Sequence, residues 1–324
     1  MGAGNLIDDM FNELTEIYND KPEQKEKEKE EEEVKSEIRK TDTIIEKKII
    51  NLPKNQMQKS PENISCTKFE MEEDKKKLET KSKAKELESK RVVRMDSICK
   101  NGYGQGMKKE NQDNLFIYKN FVNNPDYMYL GVCDGHGILG QDVSKYLVNY
   151  LPKSLHNKFI NGNNTDISNL ELYIICKNLT EIFINTNKDI TKNKKVDTKC
   201  SGSTLSSLIF TPSRLITANV GDSRCVLGKF DGKKWKAKNL THDHKPTVPK
   251  ERQRILQYNG RVESCKDEDG EFVGPERVWL KDQDIPGLAM SRSFGDETAH
   301  LVGVTAEPEI KEHYFLHEDK FLII

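Results

Sequence analysis

The 324-residue chain has no C-x-x-C pair among its seven cysteines, at positions 66, 99, 133, 176, 200, 225 and 265. An odd count without metal-type spacing excludes a disulfide framework and a cysteine zinc site. It is expected of reduced, mostly buried thiols in the cytosol or nucleus. No apolar run approaches the length needed to cross a bilayer, so no membrane span is expected. The N-terminus lacks a signal-peptide core. Gly2 invites N-myristoylation, but Leu6 stands where that modification favours Ser or Thr. The net charge of −1 exerts no global pull toward nucleic acid or anionic lipid, and no nucleic-acid partner is expected.

What is present divides near residue 90. Leu6, Met10, Phe11, Leu14 and Ile17 fall on one side of a short amphipathic helix over residues 5 to 18. From Lys21 to about Lys90 a mixed-charge stretch follows, with few aromatics and no sustained heptad seam. A solvated arm, largely disordered or partly helical, is expected over residues 1–90. Ile44, Ile45, Ile49, Ile50 and Leu52 form one apolar patch within it, read as a transient helix or docking motif.

The most informative stretch is Val132-Cys133-Asp134-Gly135-His136-Gly137. Tyr127 to Cys133 alternates as a strand, with Met128, Leu130 and Val132 on one face and Tyr127, Tyr129 and Cys133 on the other. Val143, Tyr146, Leu147, Tyr150 and Leu151 then recur at helical spacing. Asp134 therefore ends a strand, and two glycines turn the chain into a helix. A carboxylate so fixed, beside a bare glycine carbonyl, suits a hard metal ion. His136 is the side chain suited to give a proton near neutral pH. A tight Asp-Gly turn with a surface histidine fits these residues as well.

Around this stretch, Arg91 to Cys99 reads as a first strand, and the glycines at 102, 104 and 106 as a flexible lead into Lys108. Asp113 begins a strand carrying Leu115 and Ile117. Ser168 to Ile190 reads as a helix opened by a Ser168/Glu171 capping box, with Leu172, Ile175, Cys176, Leu179, Ile182 and Phe183 on its core face. Strands follow at Ser203 to Phe210, Leu215 to Val220 and Arg224 to Phe230. Asp222 lies in a turn, open either to a site role or to an ion pair with an arginine. His242 and His244 lie two apart in a non-helical segment and lack the spacing of a zinc helix. Pro249 starts a helix that Gly260 closes. Ile285 to Asp296 mixes small and apolar residues as a segment buried against a site or core, and Phe321 to Ile324 has the pattern of a buried strand.

Six pieces in order resemble the metal-dependent protein serine/threonine phosphatases of type 2C, the PPM family. They are Lys108-x-x-Asn-Gln-Asp113, Val132 to Gly137, Ser201-Gly-Ser-Thr204, Ala218 to Arg224, Leu240 to Pro246 and Leu288 to Asp296. The resemblance covers residues 91–324. It implies an α+β fold, a four-layer α-β-β-α sandwich of two antiparallel sheets flanked by helices. The activity implied is hydrolysis of phosphoserine and phosphothreonine in proteins by a metal-activated water, with two or more Mg²⁺ or Mn²⁺ ions. By the resemblance Asp134 matches a bridging metal ligand and Gly135 a carbonyl ligand. Asp113 matches an acidic position beside the metal-bound water, and Asp222 an accessory metal position. His136 matches the general acid. Lys108 stands at the phosphate-binding arginine, keeping the charge but not the bidentate fork. Gln112 stands where many members carry Glu. Residues 245 to 285 match a flap that helps choose substrates. Phosphorylated proteins are the implied partners, and a monomer is expected. The family also follows the terminal strand with a further Asp-Gly stretch and a later aspartate, both supplying metal ligands. Neither occurs here, so the expectation is a chain incomplete at its C-terminus or a noncatalytic binding module.

Overall fold

Residues 94–104 and 107–324 are described by a computed structural model. The readings of an N-terminal helix, a charged arm and an Ile44–Leu52 patch lie outside the described residues, as does Cys66. The described residues open with two two-residue strands, β1 (Tyr103–Gly104) and β2 (Met107–Lys108), followed by β3 (Asn114–Lys119), β4 (Met128–Cys133) and β5 (Gly135–His136). Helices α1 (Gly140–Asn161) and α2 (Leu172–Thr191) come next, then β6 (Gly202–Ser203), β7 (Leu205–Phe210), β8 (Arg214–Val220), β9 (Val226–Phe230) and β10 (Trp235–Asn239). The remainder is α3 (Pro249–Gln257), β11 (Arg261–Lys266), β12 (Phe272–Leu280), β13 (Gln283–Leu288), β14 (Phe294–Gly295), α4 (Glu297–His300), β15 (Glu309–Tyr314) and β16 (Asp319–Ile323).

The main sheet has five antiparallel strands in the order β15-β8-β7-β4-β3. Period-two alternation sends its side chains to two different cores. Tyr129, Cys133, Leu205, Ile209, Ile216, Ala218 and Val220 face α1 and α2, meeting Val143, Leu147, Leu151, Leu155, Ile175, Leu179 and Phe183. Leu208 and Leu215 face the other way, with Leu130 and Phe210 packed beside them, onto Leu227 of a second sheet ordered β10-β9-β16. An α+β sandwich results, as expected. Gly131 of β4 is required by packing, because a Cβ there would enter the Phe116 ring.

Residues 249 to 288 pack with residues 290 to 304 around a core separate from the two above. α3 and the three-stranded sheet β11-β12-β13 share a core of Ile255, Val262, Val278, Leu288, Met290, Ala299, Val302 and Val304. The module is fastened by the nearly buried Glu251. Its carboxylate accepts bonds from Arg292 (2.7 Å), Arg254 (2.6 Å) and the Ser291 hydroxyl (2.8 Å). Burial alone would raise this carboxyl, but the guanidinium groups of Arg292 and Arg254 and the Ser291 hydroxyl hold it at about 2.

Several expectations are corrected. Residues 94 to 102 are not a strand. Nearly all are exposed, and the apolar positions 92, 93, 95 and 98 do not alternate as a half-buried strand requires. The capping box does not form: α2 starts at Leu172, and the Ser168 hydroxyl instead bonds the Tyr127 hydroxyl at 2.8 Å. β16 is half-buried rather than buried, with Ile323 exposed. Of the described cysteines only Cys133 and Cys225 are buried, while Cys99 and Cys200 are exposed and all six are unbridged. Burial pushes the Cys225 thiol up to about 12. Among the described residues no helix is long and apolar enough to cross a membrane.

Two stability predictions follow from this packing. The Phe321 ring of β16 lies where a Cβ on Gly228 of β9 would be. Gly228→Ala should therefore cost about 1–3 kcal/mol in urea unfolding. No change would mean that the two strands are not held in this register. Secondly, buried His244 is pushed down to about 4, first by burial and then by Arg292. Its folded value lies below its unfolded value near 6.5, so it contributes stability that is present above pH 6.5 and lost as pH falls toward 4. Unfolding free energy should fall over that window. His244→Asn, which keeps an acceptor for the bond to Gly221, should flatten the fall by on the order of 2–3 kcal/mol.

Candidate active site

Asp134 follows directly from the end of β4, and a two-way backbone clamp holds it there. Its N–H donates to the Thr204 hydroxyl at 3.0 Å, and its carbonyl accepts the Thr204 N–H at 2.9 Å. The Thr204 hydroxyl also bonds the Ser223 hydroxyl at 2.7 Å, which ties in the turn that carries Asp222. Three connections thus meet: the β4-to-α1 turn, the start of β7 and the β8-to-β9 turn.

The close approach depends on small residues. Gly135 and His136 pair with Ser203 and Gly202, which in turn pair with Phe294 and Gly295. A Cβ on Gly135 would meet the backbone carbonyls of Gly140 and Gln112, and one on Gly202 would meet the Asp296 carboxylate. Gly137 has φ +79°, a region L side chains avoid, and packs on the Cys200 carbonyl. The Gln112 side-chain amide donates to the Gly137 carbonyl at 2.9 Å, and the Ser144 hydroxyl donates to the Gln112 carbonyl at 2.6 Å. Gln112 is therefore a brace for the turn, a role sequence reasoning did not assign.

Asp113 and Asp222 lie within electrostatic reach of Asp134. The Asp134 carboxyl is raised above the ordinary carboxylate range, first by burial, then by the charges of Asp113 and Asp222. Asp222 is also ion-paired with Lys245. The ion-pair reading of Asp222 is thus met in part, with a lysine in place of an arginine. Arg224 instead pairs with Asp243 through two bonds of 2.9 and 2.8 Å.

His136 lies beside this group with its Nε2 2.6 Å from Asp296 Oδ2. Burial works against its protonation. The Asp296 hydrogen bond and charge, with Asp134 and Asp222, more than offset that, and the imidazole is raised overall. Its Nδ1 is enclosed and has no hydrogen-bond partner. Asp296 is the functional residue that sequence reasoning missed. It is almost fully buried, held in the left-handed region at φ 44° by its N–H bond to the Ser201 carbonyl at 3.0 Å. The available signal was a Gly-Asp pair closing a run of small residues, Ser291 to Asp296.

Lys108 is placed on β2, but its side chain lies outside the described residues. His242 and His244 face different partners. The His242 ring meets Glu309 (3.2 Å) and Lys311 (2.8 Å), while His244 Nδ1 accepts the Gly221 N–H at 3.1 Å. Among the described residues no three His, Cys, Asp or Glu groups are close enough to hold an ion unaided. What the chain offers a cation is a pair of mutually repelling carboxylates, Asp134 and Asp113, with the Gly135 carbonyl beside them and Asp222 nearby.

Comparison with known proteins places this arrangement. The protein phosphatase 2C family matches residues 99–324. The probable protein phosphatase 2C 65 of Arabidopsis thaliana is 34% identical over 230 residues, covering 68% of this chain and 59% of its own. The probable protein phosphatase 2C 73 of Oryza sativa subsp. japonica is 34% identical over 243 residues, covering 68% and 57%. The probable protein phosphatase 2C 72 of Arabidopsis thaliana is 38% identical over 242 residues, covering 72% and 68%. The chain thus spans less than two thirds of the length of the first two. In three dimensions it is similar to serine-threonine phosphatase 2C from Toxoplasma gondii, with a TM-score of 0.56 at 17% identity over 66% of this chain and 72% of that one. That likeness speaks to the fold. With the family match extending across the clamp, the acidic group and the flap, the chain belongs to the protein phosphatase 2C family.

Proposed function

We propose that this protein hydrolyses phosphoserine and phosphothreonine in other proteins, with Mg²⁺ or Mn²⁺ as cofactor. The observation that carries the reading is the raised carboxyl of Asp134, produced by burial and by Asp113 and Asp222, next to a histidine whose imidazole is raised by its hydrogen bond to Asp296. Like charges that raise a carboxyl at a rigid strand end favour a cation there. The donor set of carboxylates and one carbonyl is hard oxygen, which suits Mg²⁺ or Mn²⁺ and not a soft metal. A sparse protein donor set suits ions that keep several waters and take only one or two carboxylates. Asp134, Asp113 and the Gly135 carbonyl would hold the ions, with Asp222 at an accessory position. When bound, such ions neutralise phosphate charge and make a water nucleophilic near neutral pH.

The rest of the work belongs to the chain. Lys108 supplies a point charge for the phosphate oxygens. The imidazolium of His136 gives a proton to the departing seryl or threonyl oxygen. Asp296 accepts from Nε2 and so favours the protonated form of the imidazole. By the family resemblance, residues 245 to 285 are the flap that helps choose substrate. The free thiols fit a reducing compartment, cytoplasm or nucleus.

Asp134→Asn should weaken Mn²⁺ binding in calorimetry and lower kcat on a phosphothreonine peptide by about three orders of magnitude. Near-wild-type values for both would remove Asp134 from the site. His136→Ala should slow a phosphoserine peptide by a factor of about a hundred or more, and nitrophenyl phosphate far less, because nitrophenolate leaves without a proton. Equal losses on the two substrates would rule out proton donation by His136.

A further inference from the structure

The Asp222–Lys245 ion pair is held by a scaffold more rigid than a surface salt bridge has. The turn carrying Asp222 and the segment carrying Lys245 exchange two hydrogen bonds. The Gly221 N–H donates to His244 Nδ1 at 3.1 Å, and the His244 N–H donates to the Gly221 carbonyl at 3.0 Å. The Asn219 side-chain amide bridges the Gly221 and His242 carbonyls at 3.1 and 3.0 Å. Arg224 and Asp243 add a bidentate pair on the solvent side. The Ser291 N–H fixes the His244 carbonyl at 2.8 Å. The backbone on both sides is thus immobilised, and Lys245 emerges opposite the Asp222 carboxylate with a single freedom left, rotation of its own side chain.

From this juxtaposition we infer that Lys245 is a resident counter-cation for Asp222 that competes with a divalent ion for the same carboxylate. The inference rests on the metal-dependent reading above. Asp222 acts electrostatically on both Asp134 and His136, so its charge belongs to the site whether or not an ion is present. A lysine ammonium is a compact charge on a flexible stem. It neutralises Asp222 while no ion is bound. Its side chain is 41% exposed, and so it swings into solvent at small cost when an ion takes its place. The accessory position is then occupied only when the divalent ion outcompetes a tethered monovalent one. This makes its affinity weaker, and more dependent on free Mg²⁺ or Mn²⁺, than Asp222 alone would confer.

The test is Mn²⁺ calorimetry on the full chain, with thermal unfolding in EDTA and in Mn²⁺ as a parallel readout. Lys245→Met removes the charge and keeps the stem, and should tighten Mn²⁺ binding about fivefold, the scale of a partly exposed ion pair. Lys245→Met should also melt lower than wild type in EDTA and show a larger Mn²⁺-induced rise. Lys245→Arg keeps a competing charge and should bind Mn²⁺ as wild type does. In Asp222→Asn/Lys245→Met the gain should vanish. Binding by Lys245→Met no tighter than wild type, or a gain that survives Asp222→Asn, overturns the inference. Asp134→Asn separates the two levels. If it weakens Mn²⁺ binding while Lys245→Met does not tighten it, the competition alone is wrong. If wild type takes up no Mn²⁺, both the metal reading and the competition fall.

Discussion

Everything in the candidate site depends on two hydrogen bonds between Asp134 and Thr204. They fasten the end of β4 to the start of β7 at the point where the main sheet stops and the site begins. Because the hydroxyl of Thr204 is used in one bond and its backbone in the other, neither Ala nor Val could replace it without stranding a donor. The Ser223 hydroxyl completes the junction by meeting the same Thr204 oxygen. Rigidity at Asp134 therefore comes from the backbone, and the side chain is left free for chemistry. The glycines and serines around it serve this junction. Gly135 and Gly202 lie where a Cβ would collide with carbonyl oxygens or with Asp296. Their lack of side chains is what lets three backbone segments approach one another.

Charge is distributed unevenly over this frame. Of the four carboxylates, two have a resident cation: Asp296 has His136 and Asp222 has Lys245. Asp134 and Asp113 have each other, and their repulsion adds to burial in raising Asp134. A folded protein tolerates such a pair at modest cost if it stays partly open to water, as here. The same imbalance is what makes the position receptive to a cation. Stability alone would have favoured a lysine or arginine between Asp134 and Asp113.

How far the residues could be read in advance depended on whether their interactions were local. β4, α1 and the core face of α2 were readable because Tyr129 and Cys133 alternate, and Val143, Leu147 and Leu151 recur, over windows shorter than one element. Pro249 at the start of α3 was equally local. The exposed strand β10 was not read, because Trp235 to Asn239 buries no face and so carries no hydrophobic period. Ser168 looked like a helix cap, but Tyr127, 41 residues away in the chain, claims its hydroxyl. At the site, Asp134 and His136 were readable as a strand-end motif, and the grouping with Asp113 and Asp222 came from resemblance. Asp296 was not readable as a partner of His136, since 160 residues separate them and only the pairing of β14 with β6 brings them together. Lys245 was hidden for the same reason, its tie to Asp222 depending on the exchange between Gly221 and His244.

The segment from Leu288 to Asp296 links the two halves of the described protein. Leu288 and Met290 belong to the core of the module, and Ser291 and Arg292 bind Glu251 of α3. Four residues further on, Asp296 holds His136. A module that only shaded the site would need no such tie, and a flexible loop would have sufficed. Here the Glu251 carboxylate is buried, and leaving it unpaired would cost several kcal/mol, because a buried charge cannot fall back on water. α3 is thereby pinned to the strand that supplies the partner of the histidine. The ends of the module are fixed with the same firmness as the site. Only the exposed β11–β12 hairpin, where Phe272 and Val273 stand in solvent, lies away from these ties.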